Sequence, residues 1–219
     1  MTEGRLVIGT RRYSSWSLRG WLAVRLAGLD VTDEVVPLAG GVTPALAQLT
    51  PAGTVPYLEH KGARVWESLA IVEYCAEQAP SLWPADRIAR AQARAMAAEM
   101  HAGFRGLRMA MPMNLGRDYA GLGRTQEALA DIARIEWIWA EARAAFGAGG
   151  PYLFGSHLGA ADAMFAPVVT RFLTYAPEIS AASRAYCDAV REHPLVAQWY
   201  EMASQEPKAW LLAKYEDLA

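Results

Sequence analysis

Apolar positions along the chain change period near residue 80. Before it, Leu6-Val7-Ile8 inside "RLVIG" is a short continuous apolar run of the kind that forms a buried strand. Leu18, Trp21, Leu22, Leu26 and Leu29 then recur at spacings of three and four, which predicts a helix. "DEVVPL" (33–38) reads as a second strand. "VPYLEH" (55–60) and "ARVW" (63–66) flank Lys61-Gly62 and read as a hairpin. "ESLAIVEYCAEQ" (67–78) closes the segment as a helix with Leu69, Val72 and Ala76 on one face. Residues 1–79 are therefore expected to be a small layered α/β unit.

From residue 87 the alternation disappears. "IARAQARAMAAEMHAGFRGLRMAM", "TQEALADIARIEWIWAEARAAF", "AADAMFAPVVTRFLTYA", "AASRAYCDAVREH" and "PLVAQWYEMAS" are Ala-rich helical patterns, so 87–219 is expected to be all-helical, with the first of them a single long helix. Pro80 and Pro84 mark 80–86 as a linker.

Composition narrows the class. The chain has 219 residues, 53% hydrophobic and 20% charged, enough to bury a sizeable core. A net charge of -2 without a concentrated Lys/Arg block argues against nucleic acid or an anionic membrane as partner and favours a small ligand. No apolar run of about 18 residues is present, the first residues lack a signal-peptide core, and Cys75 and Cys187 are distant and outside any CxxC. A cytoplasmic protein without disulfides is the expectation. The 8 Met and 8 Trp are expected mainly in the core.

Several short stretches carry either a structural or a chemical reading. Ser14-Ser15-Trp16-Ser17, before the first apolar helical pattern, can cap that helix or form an anion site whose hydroxyl donates to a thiolate or oxyanion. Pro56 opens a strand, where it suits an edge; with a cis Val55-Pro56 bond, the Val55 backbone could pair with an extended peptide ligand. Ser68 can cap a helix, or take a carboxylate there while Glu67 takes an ammonium. His60, His101, His157 and His193 lack metal-ligand spacing, so no metal is expected.

These stretches fall in one order inside one α/β unit that precedes a helical half. "YSSWSLRGWLAVRLAGL" and "TPAGTVPYLEHKGARVWESLAIVEYCAE" resemble the thioredoxin-like domain of the cytosolic glutathione S-transferases, and "YLFGSHLGAADAMFAPVV" is similar to the folding signature of their helical domain. The tail "QEPKAWLLAKYEDLA" has no counterpart there. The resemblance implies the glutathione S-transferase fold: a thioredoxin-like α/β N-terminal domain and an all-α C-terminal domain.

It also implies glutathione as co-substrate, no metal, and a homodimer. By it, Val55 before a cis Pro56 pairs with the cysteinyl part of glutathione, and Glu67-Ser68 hold the γ-glutamyl end. Ser14, or next Ser15, gives its hydroxyl to the sulfur, and Trp16 lies in the same motif. The motif is nearest to the bacterial, serine-type, zeta-like pattern of Ser-Ser-Cys-Ser followed by an aromatic residue and Arg. Trp16 stands in place of that Cys and Leu18 in place of the aromatic residue. Without a cysteine in the motif, a mixed disulfide with glutathione is excluded there.

The implied reaction is conjugation to a small hydrophobic electrophile, for detoxification. The alternatives are a glutathione-dependent isomerase of the maleylacetoacetate type, a dehalogenase, or a non-catalytic scaffold. Met100, Phe104, Met109, Met111 and Met113, with Arg105 or Arg108 as polar contact, either line the electrophile pocket or pack as core. Cys75 reads as core, and Asp162 resembles the buried cap of the sixth helix of the fold, a folding role with Gly159 at the cap position.

Overall fold

The apolar run Leu6–Ile8 becomes the centre of a four-stranded sheet. A computed structural model describes residues 2–218. Strands β1 (Gly4–Gly9), β2 (Val31–Val36), β3 (Tyr57–His60) and β4 (Ala63–Trp66) lie in the order β2-β1-β3-β4. β1 runs parallel to β2, with Gly4 opposite Val31, and antiparallel to β3, with Leu6 opposite Leu58. Alternation along β1 splits the sheet's two faces. Leu6 and Ile8 join the main core under α1 (Ser15–Leu26) and α3 (Ser68–Gln78), whereas Val7 packs with Val36, Leu46 and Tyr57 under the short α2 (Leu46–Leu49).

Two strand boundaries differ from expectation because of proline. β2 spans 31–36 rather than 33–38, ending before Pro37, and β3 begins after Pro56; neither proline has an N–H to give to a ladder.

The helical half contains α4 (Arg87–Ala102), α5 (Arg105–Ala110), α6 (Gln126–Phe146), α7 (Ala160–Tyr175), α8 (Ala181–Glu192), α9 (Pro194–Ser204) and α10 (Ala213–Glu216). Asp86 caps α4 by accepting from the N–H groups of Ile88 and Ala89 at 2.9 and 2.8 Å. The long helix expected from residue 87 onward is broken: Gly103 leaves helical geometry and Phe104 sits left-handed at φ 56°. Burial of the Phe104 ring outweighs the local preference to continue the helix.

α7 is apolar nearly all round and buried nearly all round, the signature of a central helix. It packs against both α1 and α4, so one core runs through both halves of the chain. The expected linker is itself packed: Pro80–Leu82 form a 3-10 turn, and Leu82 and Trp83 are buried in that core. Cys75 and Cys187 are free and buried, and burial pushes each thiol up to about 12.

Candidate functional site

The middle of α1 lies close against the strand-opening proline because Gly20 has no side chain. A Cβ there would stand 2.9 Å from Pro56 Cγ, so the helix rests on the Val55–Pro56 turn, whose peptide bond is cis. Among the described residues, the backbone N–H and C=O of Val55 make no hydrogen bond within the protein. A polar backbone that is left open beside a cavity is available to a ligand.

Ser14 is the N-cap of α1 and is buried. Its Oγ accepts from the Ser17 N–H at 3.3 Å and lies 2.7 Å from Ser17 Oγ, which accepts from the Gly9 N–H at 3.0 Å. Ser14 is the donor in that bond, so its proton is held by Ser17 Oγ and turns outward when a stronger acceptor enters the cavity. Ser15 opens the first turn, half-buried. Neighbouring Tyr13 is already committed, since its O–H donates to Glu216 at 2.6 Å while accepting from the Leu212 N–H; burial first, then the Glu216 carboxylate, pushes it up to about 12.

A cavity of about 790 Å³ lies in front of this helix start. Ser14, Ser15, Trp16 and Val55 line it from the α/β half, and Arg108, Met109, Met113, Arg171 and Tyr215 from the helical half. Glu67 and Ser68 stand outside that wall, at the start of α3. Glu67 is left-handed at φ 68° and its carboxylate lies 3.7 Å from His101 Nε2. His101 in turn meets the Trp16 ring edge-on with centroids 5.3 Å apart, so the two helix starts are joined through one imidazole. Burial holds His101 below its ordinary range. Ser68 is fully buried and its Oγ has no hydrogen-bond partner among the described residues.

The expected electrophile-pocket residues divide. Arg108 lines the cavity, as do Met109 and Met113. Met100, Phe104 and Met111 do not; they pack in the common core, Met100 on the buried face of α4 with Ala93, Met96 and Ala97, and Phe104 and Met111 at the two ends of α5. Arg105 faces a separate shallow depression with Gly106 and Met109.

Tyr13, Arg171 and Tyr215 were missed by sequence reasoning. Arg171 is embedded in an apolar helical pattern, and Tyr215 lies in the tail that had no counterpart. That tail is fastened across the helix start: Glu216 accepts from Arg12 Nε (2.9 Å), Tyr13 Oη (2.6 Å), Asn114 Nδ2 (2.9 Å) and Arg117 Nε (2.8 Å). These donors outweigh the cost of burying the carboxylate and bring it down to about 2.

Among the described residues no cluster of His, Cys, Asp and Glu could hold a metal, and no helix is long and apolar enough to cross a membrane. Asp162 is a folding group. Its carboxylate accepts from Leu153 N, Gly159 N and Tyr186 Oη at 3.1, 2.9 and 3.0 Å, closing the start of α7.

Comparison with known proteins supplies the family. Residues 13–78 match the N-terminal domain of glutathione S-transferases and residues 121–201 their C-terminal domain, together about two thirds of the chain. Glutathione S-transferase 1 of Dianthus caryophyllus is 28% identical over 172 residues, 73% of each protein. A probable maleylacetoacetate isomerase of Caenorhabditis elegans is 33% identical over 117 residues, 52% of this chain and 54% of the relative. A theta-class glutathione S-transferase from Xanthomonas axonopodis pv. citri, solved with glutathione bound, superposes with a TM-score of 0.66 at 25% identity over 94% of this chain and 99% of that one. A glutathione transferase homologue from Burkholderia BGR1, also with bound glutathione, superposes with a TM-score of 0.70 at 22% identity, over 94% and 100%.

Proposed function

The chain belongs to the glutathione S-transferase superfamily, and on that premise we propose that it is a serine-type glutathione transferase. Glutathione lies across the starts of α1 and α3, and its thiolate attacks an electrophile held in the cavity. The observation that carries this reading is the Val55 backbone, which lines the cavity in front of α1 and makes no hydrogen bond within the protein among the described residues; the buried Ser68 hydroxyl, without a partner at the start of α3 outside that wall, adds to it. Natural interiors seldom leave such groups unmet, and a ligand is one of the things that meets them.

Val55 pairs with the cysteinyl backbone, as in strand addition. The Ser68 hydroxyl and the open N–H groups of α3 take the γ-glutamyl carboxylate, and Glu67 takes its ammonium. Ser14 donates to the sulfur, turning to it the proton that it otherwise gives to Ser17 Oγ. A serine is far too weak a base to remove the thiol proton. It acts by stabilising the anion: a charge-assisted hydrogen bond of about 1.5–3 kcal/mol lowers a thiol pKa near 8.5 by about one to two units. The proton leaves to solvent and the sulfur is poised near neutral pH.

A glutathione-dependent isomerase is the second reading, favoured by the local similarity to the probable maleylacetoacetate isomerase. Trp16, where the zeta motif has Cys, weighs against it. A cytoplasmic homodimer completes the proposal on the family resemblance alone, and sedimentation tests the oligomeric part.

Calorimetry with glutathione is the test of the whole reading. Binding is expected, with a thiolate band near 240 nm appearing at lower pH than in free glutathione; no binding heat with the wild-type protein overturns it. Conjugation consumes glutathione, whereas isomerisation leaves its concentration unchanged.

A further inference from the structure

Three guanidinium groups meet where the halves of the molecule join, and none has a carboxylate. Arg19 on α1 and Arg171 on α7 are almost wholly buried, and Arg108 on α5 is half-buried. Among the described residues no ion pair is made by any of the three. Asp131 on α6 is the acidic group nearest in effect to Arg108, and it is occupied in accepting from the Leu107 N–H at 2.9 Å. Burial first, and then repulsion from neighbouring guanidiniums, depresses all three: Arg171 and Arg108 act on Arg19, bringing it well below its ordinary value, Arg108 acts on Arg171, which comes down to about 10, and Arg105 acts on Arg108.

Neutral groups carry what compensation there is. Arg19 Nε donates to Met164 O at 2.9 Å, and Arg171 donates to Met111 O and Pro167 O at 2.8 and 2.9 Å. The Trp16 ring takes both Arg19, 4.5 Å from its centroid, and Arg108, at 5.0 Å. Its electron-rich face offsets part of the desolvation of each cation. This gives the tryptophan of the opening motif a role that a cysteine in that place could not fill.

Carbonyls and a ring do not balance a net charge. Arg171 keeps Nη2 without a protein acceptor among the described residues, and Arg108 has only long contacts, 3.3 and 3.5 Å, through Nη1. Both residues line the same cavity as Ser14, beside the apolar Pro112 and Met113. A buried cation with an open donor at a cavity wall is a seat for an anion, and the planar fork of Arg suits a carboxylate.

Building on the transferase reading, we propose that the electrophile is an anion: a small molecule with an apolar body and a carboxylate seated on Arg171 and Arg108. The apolar body faces Met113 and Pro112, which leaves the reacting carbon toward Ser14 and the sulfur. This departs from a purely hydrophobic electrophile. It makes Arg171 and Arg108 substrate-binding residues and Trp16 a positioning residue for the second of them.

A matched pair of probes separates the possibilities. In 4-chloro-3,5-dinitrobenzoate and 1-chloro-2,4-dinitrobenzene the same step occurs: the thiolate sulfur bonds to the ring carbon, and the C–Cl bond breaks with chloride carrying away its electron pair. Wild-type protein is expected to have the lower KM for the benzoate. Arg108→Met and Arg171→Met are each expected to lower the ratio of kcat/KM, benzoate over neutral probe, about tenfold, the value of one charge-assisted hydrogen bond. Arg171→Lys should recover part of that ratio. If Arg171→Met does not fold, Arg108→Met, at a half-exposed site, decides alone.

Equal losses on both probes, an unchanged ratio, or a fall in glutathione affinity that tracks the arginines would overturn the anion site; the last would assign the guanidiniums to a carboxylate of glutathione itself. Calorimetry with unreactive 3,5-dinitrobenzoate in the presence of S-methylglutathione reads the site without turnover. If the arginines govern that binding but neither chloride reacts, the anion site stands and the transferase reading falls. If the neutral chloride reacts and the benzoate gains nothing from the arginines, the transferase reading stands and the anion site falls.

Discussion

Asp162 at the start of α7 and Ser68 at the start of α3 are both buried polar side chains in the first turn of a helix, yet their surroundings differ sharply. Asp162 receives three donors from three different segments. Ser68 Oγ has none among the described residues. A closed network binds its own chain together and excludes ligands. An open group costs folding free energy and is retained at that cost where something outside the chain completes it. The same contrast separates Glu216, met by donors from four residues, from Arg171, whose third nitrogen has no protein acceptor among the described residues.

The largest break in this comparison comes from removing the closed partner. Asp162→Ala leaves the Leu153 and Gly159 N–H groups and the Tyr186 hydroxyl buried without an acceptor. Destabilisation of about 3 kcal/mol or more is expected, a fall in Tm of about 6–12 °C for a chain of this size. A melt within about 2 °C of wild type would show that the network is replaceable.

The carboxylate also carries a pH signature. Burial raises it to about 6 in the folded state, against 3.8 when exposed. The folded protein therefore holds the extra proton between those values, so this group's contribution to stability falls as pH rises from about 4 to 6 and is flat above and below. In Asp162→Asn that slope should vanish, which urea titrations at pH 4.5 and 7 measure.

Ser68→Ala is the converse experiment at the open end. Removing an orphaned hydroxyl takes away nothing the folded chain uses, so Tm should hold or rise slightly. Glutathione affinity should fall about tenfold or more, with Glu67→Ala weakening it too. A fall in Tm comparable to Asp162→Ala, with affinity intact, would make Ser68 a structural group and the comparison void.

How much of this contrast is visible before folding depends on the range of the interaction. The strand pattern around Leu6–Ile8, the Lys61-Gly62 hairpin and the helices of the second half are set by local period and turn chemistry, and they appear where the pattern places them within a residue or two. Ser14 as the cap of α1 is legible because a Ser-rich run directly precedes an apolar helical pattern. The break at Gly103–Phe104 is not legible. Phe104 takes a left-handed backbone only because its ring is buried by elements distant in sequence. Arg171 is hidden for the related reason that a single cation in an apolar helix looks like an exception until the fold sets it against Arg19 and Arg108. The role of the tail rests on contacts more than 200 residues apart between Glu216 and Arg12 or Tyr13, which no local pattern encodes.

Ser14 stands between the two extremes, since its oxygen is used as a cap while its proton is shared with Ser17 and can be redirected. Ser14→Ala should therefore show both signatures at reduced size. Loss of the cap costs about 1 kcal/mol, or about 2–4 °C in Tm. Loss of the donor should raise the pKa of the bound thiol by about one to two units while glutathione affinity measured below that pKa stays nearly constant, because the thiol, unlike the thiolate, gains little from the hydroxyl. Ultraviolet titration of the bound sulfur reads this directly. An unchanged titration with a lowered Tm would leave Ser14 a cap alone and transfer the sulfur contact to Ser15, whose hydroxyl opens the same turn and lines the same cavity.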